Sequence, residues 1–501
     1  MKTAFTPVRA SLADLAGREY AEAVCAARAV LTGESRHELL AEAKRRVDFF
    51  PRALHEQLVA LIPRIGARCT RGLRASASGA TSAAFAANAH REQAPLSARG
   101  YYRVGEDGRL FFTAKSEHYH ASLGHGFPGY ALIECARRLG IPNATHNNTR
   151  GHLTRLLEEQ LVRAAALPRV LDRVLNLETG SLAAEAVFKM MLARFQAPQA
   201  DSAQPPYADR VPVFGVIGDD LGGMTANYHG TTIATQLLRG MWPGLRKQFE
   251  RHDVLLVRAV APNDARGLDA LFERYERGRY KLAGFFHELV LMNYGGVALS
   301  ERFVRRLYRL CRTYDVPVAI DEIQTGAWSP LYFLYREYKL RPDFAVIGKG
   351  FPGGEYAASR VLFSAKYDSL PQFGALVTNG QEELASLAYL VTMRWIEANT
   401  DVIQTVGDYY RERLEQLAVK HADRIVSIDG RRHMAGIRFH DLDVARRFAA
   451  QLNAMGVDVG VQSYKTGCPP SALTKLPLIA GYEIIDWLID RMDSVLSRIR
   501  A

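Results

Sequence analysis

Residues 345–354 read AVIGKGFPGG, an apolar run that leads into a lysine flanked by glycines. The segment DFAVIGK at 343–349 is typical of a buried β-strand, and Lys349 falls where this strand would end. Because glycine leaves the backbone unconstrained, the pattern fits a solvated turn. It fits equally a lysine that must reach a bound ligand through a gap. The residues around this stretch have to distinguish between the two alternatives.

A second strand ends about 28 residues earlier, in the segment VPVAIDE at 316–322. Alternation along a strand places Asp321 and Glu322 on opposite faces. Two acids at a strand end are usually solvated, and a lysine near a carboxylate usually forms an ion pair. The spacing nevertheless suits one strand–helix–strand step, which would bring a carboxylate and Lys349 to one edge of a sheet. A lysine in that position can form an imine with a carbonyl ligand.

Short β-rich runs alternate with longer helical stretches from about residue 170 onward. PVFGVIG, DVLLVRAV and LAGFFHEL resemble strands, and SLAAEAVFKMMLARF and SERFVRRLYRLCRTY have helical periodicity. This alternation predicts an α/β fold with a mostly parallel sheet and helices on both faces. Further along, RIVSIDG, MAGIRFH and ARRFAAQLNAMGV predict a smaller α+β domain.

Four segments follow from these patterns. Helical periodicity over about 11–73 and a stretch rich in small residues after it predict a helical extension with a linker. We expect a helical N-terminal extension and linker over residues 1–100 and the first part of the small domain over 101–165. The large domain would follow over 166–395, and the C-terminal part of the small domain over 396–501.

The composition excludes several classes of protein. The chain has 501 residues, 48% of them hydrophobic, with basic residues mixed among acids despite a net charge of +11. No nucleic-acid-binding motif, membrane-spanning run or signal peptide is recognisable, so we expect no nucleic acid and no membrane partner. The five cysteines are scattered and fit a reducing cytoplasm. The histidines that cluster lack evident further ligands, so we expect no metal at His118, His120, His125, His146 and His152.

Several stretches together resemble the class III aminotransferases, which are pyridoxal-phosphate enzymes. DEIQTG and the later PDFAVIGKGFPGG resemble the family's D-E-x-Q-T-G and P-D…G-K-G…G-G patterns. Further similarity follows in the family's order over about residues 101–501, in SLGHGFPG, LNLETGSLAAEAVFK, NYHGTTIATQLLRG, HELVLMNYGG and VTNGQEELASLA. The resemblance implies the aspartate-aminotransferase fold, called fold type I, with the cofactor held by the large domain.

The resemblance assigns the cofactor chemistry to three residues. Lys349 would form a Schiff base with the aldehyde of pyridoxal phosphate, which then acts as an electron sink. Asp321 would keep the pyridine nitrogen protonated, and Gln324 would bind the phenolic oxygen of the ring.

Three further residues match positions around the cofactor ring. Ile323 would pack against one face, and Tyr228 would stack on the other as a catalytic-site aromatic. His229, which follows Tyr228, also matches the cofactor site. From the residues alone, Tyr228 could equally be a core aromatic and His229 a hydrogen-bonded polar residue.

The phosphate of the cofactor needs backbone donors. Gly180 and Ser181 stand at the start of a predicted helix, where N–H groups bind anions, although plain helix capping also explains this pattern. Thr378 matches a threonine that the neighbouring subunit contributes, which implies a homodimer with shared active sites. Glu288 matches an acid near the cofactor, and an ordinary strand-end acid is the alternative.

Departures from the family pattern leave the substrate open. Leu182 and Leu289 replace a glutamate and a proline, and Leu473 replaces the arginine that commonly binds a substrate carboxylate; Lys475 could supply a point charge instead. The expected function is amino transfer between an amino acid or amine and a keto acid or aldehyde. Alternatives are an aminomutase or racemase, and a partner-docking or regulatory protein that retains a pyridoxal-phosphate site.

Overall fold

The computed structural model describes residues 2–83, 90–145, 149–197, 204–218, 229–230, 232, 236, 242–375, 381–462 and 467–499. The fold and its contacts are given for these residues. Among them, no helix is long and apolar enough to cross a membrane.

The N-terminal extension is helical and folds around a short antiparallel strand pair. Ser11 and Asp14 cap the first helix reciprocally, each side chain accepting the other's backbone N–H. The elements are β1 (Arg9–Ala10), α1 (Leu12–Ala16), α2 (Arg18–Thr32), α3 (Arg36–Ala43), β2 (Val47–Asp48) and α4 (Arg52–Ala60). Helices predicted from the periodicity of 11–73 therefore occur, and α4 begins directly after Pro51.

This extension shares its core with the rest of the chain. The ring of Phe5 lies 5.3 Å from that of Phe50 and 5.6 Å from that of Trp395. The backbone N–H of Thr6 donates to Asn399 Oδ1 at 2.8 Å. Leu12 is fully buried in the same apolar cluster as residues of the large sheet.

A three-stranded antiparallel sheet and two helices precede the large sheet. They are β3 (Pro95–Arg99), β4 (Tyr102–Gly105), β5 (Leu110–Phe112), α5 (Ala131–Arg138) and α6 (His152–Ala165). Between β5 and α5 lies a short helical turn, Ser116–Tyr119. The N-terminus of helix α6 is capped by a side chain distant in sequence, because Glu383 accepts the N–H groups of Leu153 and Thr154.

The large sheet has seven strands and is mostly parallel, as predicted. Its strands are β6 (Arg173–Leu177), β7 (Val211–Ile217), β8 (Leu256–Val260), β9 (Tyr280–His287), β12 (Val318–Asp321), β13 (Phe344–Ile347) and β14 (Ser359–Phe363). They lie in the order β6-β14-β13-β12-β9-β7-β8, and β14 alone runs antiparallel to its neighbours. Two small strands, β10 (Val290–Leu291) and β11 (Val297–Ala298), pair beside it.

Helices cover both faces of this sheet. Alternate residues of β12 belong to two different apolar clusters. Ala319 lies in the cluster that contains the helix at 180–196, whereas Val318 and Ile320 lie in the cluster that contains the helices at 265–275 and 301–313. Strand β7 is buried along its whole length, which explains its continuous apolar sequence. The helices are α7 (Gly180–Gln196), α8 (Pro243–Arg251), α9 (Ala265–Tyr275), α10 (Glu301–Thr313), α11 (Leu334–Glu337) and α12 (Glu383–Ala398).

The C-terminal part is α+β, as the sequence predicts. A four-stranded antiparallel sheet has the order β15-β16-β18-β17, and Phe112 bridges to Val457 beside it. Its elements are α13 (Thr400–Lys420), β15 (Ile425–Arg431), β16 (Met434–Phe439), α14 (Leu442–Ala454), β17 (Gly460–Gln462), β18 (Ser471–Lys475) and α15 (Tyr482–Arg498).

Candidate active site

Lys349 and Asp321 meet at the carboxyl edge of the large sheet. Asp321 is the last residue of β12, and Lys349 stands two residues beyond the end of the parallel neighbour β13. Burial lowers the pKa of the Lys349 amine, while the carboxylates of Asp321 and Glu288 oppose that shift. A lysine with a lowered pKa has a larger neutral fraction at neutral pH and is a better nucleophile.

Asp321 is held on both of its oxygens. His229 Nδ1 lies 2.7 Å from Asp321 Oδ2, and the backbone N–H of Ile323 donates to Oδ1 at 3.0 Å. The His229 ring packs at a tilt on Phe286, with ring centroids 5.6 Å apart. These two hydrogen bonds fix the orientation of the Asp321 carboxylate at the sheet edge.

The glycines around Lys349 make room for protein side chains. A Cβ on Gly348 would lie 2.5 Å from Ser359 Oγ, and one on Gly350 would lie 2.1 Å from Cζ3 of Trp328. Lys349 itself has a left-handed backbone with φ of 41°. Packing against Ser359 and Trp328 therefore explains why glycine is needed at these two positions.

A helix N-terminus lies at the same edge. Helix α7 begins at Gly180, and Thr179 Oγ1 accepts the N–H of Leu182 at 3.4 Å. A Cβ on Gly180 would lie 2.3 Å from Cδ1 of Ile323, and one on Gly230 would lie 3.1 Å from Ser181 Cα. Gly180, Ser181 and Ile323 are thus brought together, at a helix start that can bind an anion.

A second lysine reaches the site from the C-terminal sheet. Lys475 is fully buried, and its ammonium donates to the backbone carbonyl of Gln324. It also lies 3.6 Å from the centroid of the Trp328 ring. The Tyr119 ring centroid is 5.9 Å from Lys349 Nζ and 5.3 Å from Lys475 Nζ. No motif in the sequence marks Tyr119 or Trp328, because only the folded chain brings them here.

Glu288 and Leu473 are both buried near this edge of the sheet. Glu288 follows β9, is 6% exposed, and interacts electrostatically with both Lys349 and Lys475. Leu473, at the position of the family's arginine, is 1% exposed within β18. An aliphatic side chain therefore occupies that position.

A buried charge network supports the turn that carries Tyr119. Arg103 Nη1 lies 2.6 Å from Glu117 and 3.2 Å from Asp458, and His125 lies 3.2 Å from Glu117. Burial alone would raise the pKa of Glu117, but His125 and Arg103 outweigh it and lower the pKa to about 2. Ser116, Glu117 and Tyr119 have positive φ of 48°, 46° and 78°. Such backbone costs about 1–2 kcal/mol per residue, so the network offsets local strain.

The residues at this edge fit pyridoxal phosphate. The Lys349 amine corresponds to the aldehyde of the cofactor, and Asp321, bonded to His229, corresponds to the ring nitrogen. The Ile323 side chain corresponds to the ring face, and the N-terminus of α7 corresponds to the phosphate. Two expected residues, Tyr228 and Thr378, lie outside the described residues.

Comparison with known proteins gives matches over most of the chain. The family model "Aminotransferase class-III" matches residues 85–496. An acetylornithine aminotransferase of Aquifex aeolicus is 28% identical over 193 residues, which is 38% of this chain and 49% of that protein. A diaminobutyrate–2-oxoglutarate transaminase of Vibrio cholerae is 24% identical over 412 residues, covering 78% of this chain and 93% of that protein. The first of these alignments thus spans about half the length of the curated relative.

Solved structures share the fold. The adenosylmethionine-8-amino-7-oxononanoate aminotransferase of Methanocaldococcus jannaschii superposes with a TM-score of 0.66 at 18% identity, covering 85% of this chain and 97% of that one. The ornithine aminotransferase of Toxoplasma gondii gives a TM-score of 0.65 at 17% identity, covering 82% and 91%. The predicted fold type I is therefore confirmed.

Proposed function

The chain belongs to the class III aminotransferase family, and from this premise we propose that it is a pyridoxal-phosphate-dependent aminotransferase. It transfers an amino group between an amino acid or amine and a keto acid or aldehyde. The observation that carries this proposal is the Lys349 amine beside Asp321 at the sheet edge, with Asp321 bonded to His229.

Each residue has a task in this proposal. When bound, pyridoxal phosphate supplies an electron sink and an aldehyde for amine exchange. Lys349 Nζ binds the cofactor and then moves a proton to and from the substrate's α-carbon as general base and acid. Asp321 would hold the proton on the pyridine nitrogen, and His229 keeps the Asp321 carboxylate oriented.

The remaining predicted residues complete the cofactor site. Gly180 and Ser181 would offer N–H groups to the phosphate, and Ile323 would pack on the ring. Tyr228 would stack on the opposite ring face. Thr378 would reach the phosphate held by the partner subunit, which makes the proposed enzyme a homodimer.

Spectroscopy tests the proposal directly. The purified chain should bind pyridoxal phosphate with a visible absorption band, and borohydride should fix the cofactor on Lys349, as mass spectrometry of peptides would show. Lys349→Ala should give no fixed adduct. Lys366→Met is the matched control, because Lys366 is an exposed lysine paired with Asp343 at the other end of β13. A wild-type chain that takes up no cofactor would contradict the proposal.

Mixed dimers test the shared sites. Lys349→Ala and Thr378→Ala chains, each inactive alone, should regain about a quarter of wild-type activity when refolded together in equal amounts, since half the dimers then carry one intact site. No recovery would mean that Thr378 serves its own subunit, or that the chains do not pair.

A second candidate function keeps the cofactor and changes the reaction. Leu473 replaces the arginine that commonly binds a carboxylate, and a glutamate-1-semialdehyde 2,1-aminomutase of Lachnoclostridium phytofermentans is 26% identical over 192 residues. An aminomutase would rearrange its substrate without releasing a keto acid. Release of a keto acid in step with consumption of the amino donor excludes this alternative.

The proposal also covers the cellular compartment and the role of the N-terminal extension. We also propose a cytoplasmic location, because the scattered spacing of the five cysteines fits a reducing compartment. The extension has a structural role rather than a docking role, because Phe5 packs on Trp395 and Leu12 is buried.

A further inference from the structure

Lys475 is a buried lysine whose surroundings contain electron-rich groups. Its Nζ donates to the backbone carbonyl of Gln324 and lies 3.5 Å from the side-chain oxygen Oε1 of the same residue. The Trp328 ring is 3.6 Å away. A carbonyl, an amide oxygen and an indole face all attract a cation.

The backbone of Lys475 is fixed as firmly as its side chain. Its N–H donates to the carbonyl of Ala114 at 2.7 Å, and Ser116 Oγ donates to its carbonyl. The indole N–H of Trp328 donates to the carbonyl of Leu476 at 2.9 Å. Lys475 therefore joins the end of β18 to the loop after β12, which carries Gln324.

Burial and the nearby Lys349 lower the pKa of the Lys475 amine well below its usual value, and Glu288 opposes that shift. In either protonation state Nζ carries N–H donors. Nζ donates to the backbone carbonyl of Gln324 and lies 3.5 Å from its side-chain oxygen Oε1, so the buried Gln324 side chain presents Oε1 to Lys475 and its NH₂ group points the other way.

We propose that Lys475 is a positioning residue that orients the Gln324 amide, so that its NH₂ group donates to the phenolic oxygen of the cofactor. The inference rests on the proposed function of the site. An N–H donated to that oxygen draws negative charge away from it. The oxygen then holds the proton on the neighbouring Lys349 nitrogen less strongly, and this proton is lost at a lower pH.

A pH titration of the visible absorption band of the bound cofactor tests the proposal. Lys475→Met should raise the titration midpoint by about 1 pH unit, because the Gln324 amide loses its fixed orientation. Lys475→Arg keeps a charged donor and should leave the midpoint unchanged. In a Gln324→Ala background, Lys475→Met should cause no further shift, since the residue through which Lys475 acts is gone. Lys366→Met controls for the loss of a lysine elsewhere.

Other results would overturn the inference. An equal shift with and without Gln324 would mean that Lys475 acts directly by its charge. An unchanged midpoint with a raised KM for carboxylate substrates would make Lys475 a substrate contact. If Lys475→Met does not retain cofactor, Lys475→Gln takes its place, and loss of cofactor from both neutral variants would indicate a merely structural role. A wild-type chain without a visible band would instead refute the proposed function.

Discussion

At the scale of single side chains, the role proposed for Asp321 makes the sharpest prediction. Asp321→Asn keeps the shape of the side chain but cannot hold a proton on a pyridine nitrogen, so we expect kcat to fall by about 10²–10³-fold. Steady-state kinetics with saturating cofactor measure this, and thermal unfolding checks the fold. His229→Asn should cost less, because His229 acts through Asp321. An unchanged kcat in Asp321→Asn would remove Asp321 from the chemistry.

Glu322, the neighbouring acid, predicts a pH dependence of stability. Its carboxylate accepts the N–H groups of Leu334 and Tyr335 at 3.0 and 2.7 Å, yet burial outweighs these bonds and raises its pKa to about 7. Because this pKa exceeds that of the unfolded chain, Glu322 contributes its stability in full below about pH 4.5 and loses it as pH rises to 7.

Glu322→Gln removes this titration at constant size. The difference in unfolding free energy between wild type and variant should therefore fall by about 3 kcal/mol from pH 4.5 to pH 7.5. Denaturant unfolding at the two pH values measures it. A difference that does not change with pH would show that the folded-state pKa of Glu322 is not raised.

Residues at the ends of predicted strands were the ones that could be placed from the sequence. Asp321 and Lys349 end two strands separated by one helix, and the carboxyl ends of parallel neighbours lie at the same edge of a sheet. Trp328 and Tyr119 carry no such signal, because their place beside Lys475 depends on the packing of the C-terminal sheet on the large one. The contact that requires Gly350 was not predictable for the same reason, because its neighbour Trp328 is set by packing.

The type of most secondary-structure elements was predictable, but the pairing of the strands was less so. The strand–helix alternation predicts the parallel strands of the large sheet. It does not predict β6 and β14, and β14 runs antiparallel to its neighbours. A short apolar run such as SRVLF has no direction in its sequence, so only tertiary pairing sets it.

The packing of the turn after β13 predicts that alanine destabilises the protein at Gly350 but not at Gly244. Gly350→Ala places a methyl group 2.1 Å from Trp328, so we expect a loss of about 1–3 kcal/mol and a weaker visible cofactor band. Gly244→Ala is the control, because a Cβ there meets nothing within 4 Å and should change stability by less than about 0.5 kcal/mol. Equal stability of the two variants in denaturant unfolding would contradict this packing.

At the scale of the whole molecule, the N-terminal extension and the rest of the chain should unfold as one unit. Phe5→Ala removes the contacts with Phe50 and Trp395 and should cost about 2–3 kcal/mol of stability, lowering the unfolding midpoint of the entire protein. Val30→Ala, at a position 85% exposed, should have no measurable effect. A separate early transition in Phe5→Ala, with the main one unchanged, would instead make the extension a detachable module.

Residues far apart in the sequence meet in this fold, which has a consequence for its synthesis. Thr3 bonds to Glu483 at a separation of 480 residues, and its hydroxyl accepts the N–H of Tyr482 at 2.7 Å. At typical translation rates, Thr3 waits roughly 25 to 100 s for these partners. Phe5 meets Phe50 early but lacks Trp395 for most of that time, so part of its apolar surface stays uncovered until α12 has been synthesised.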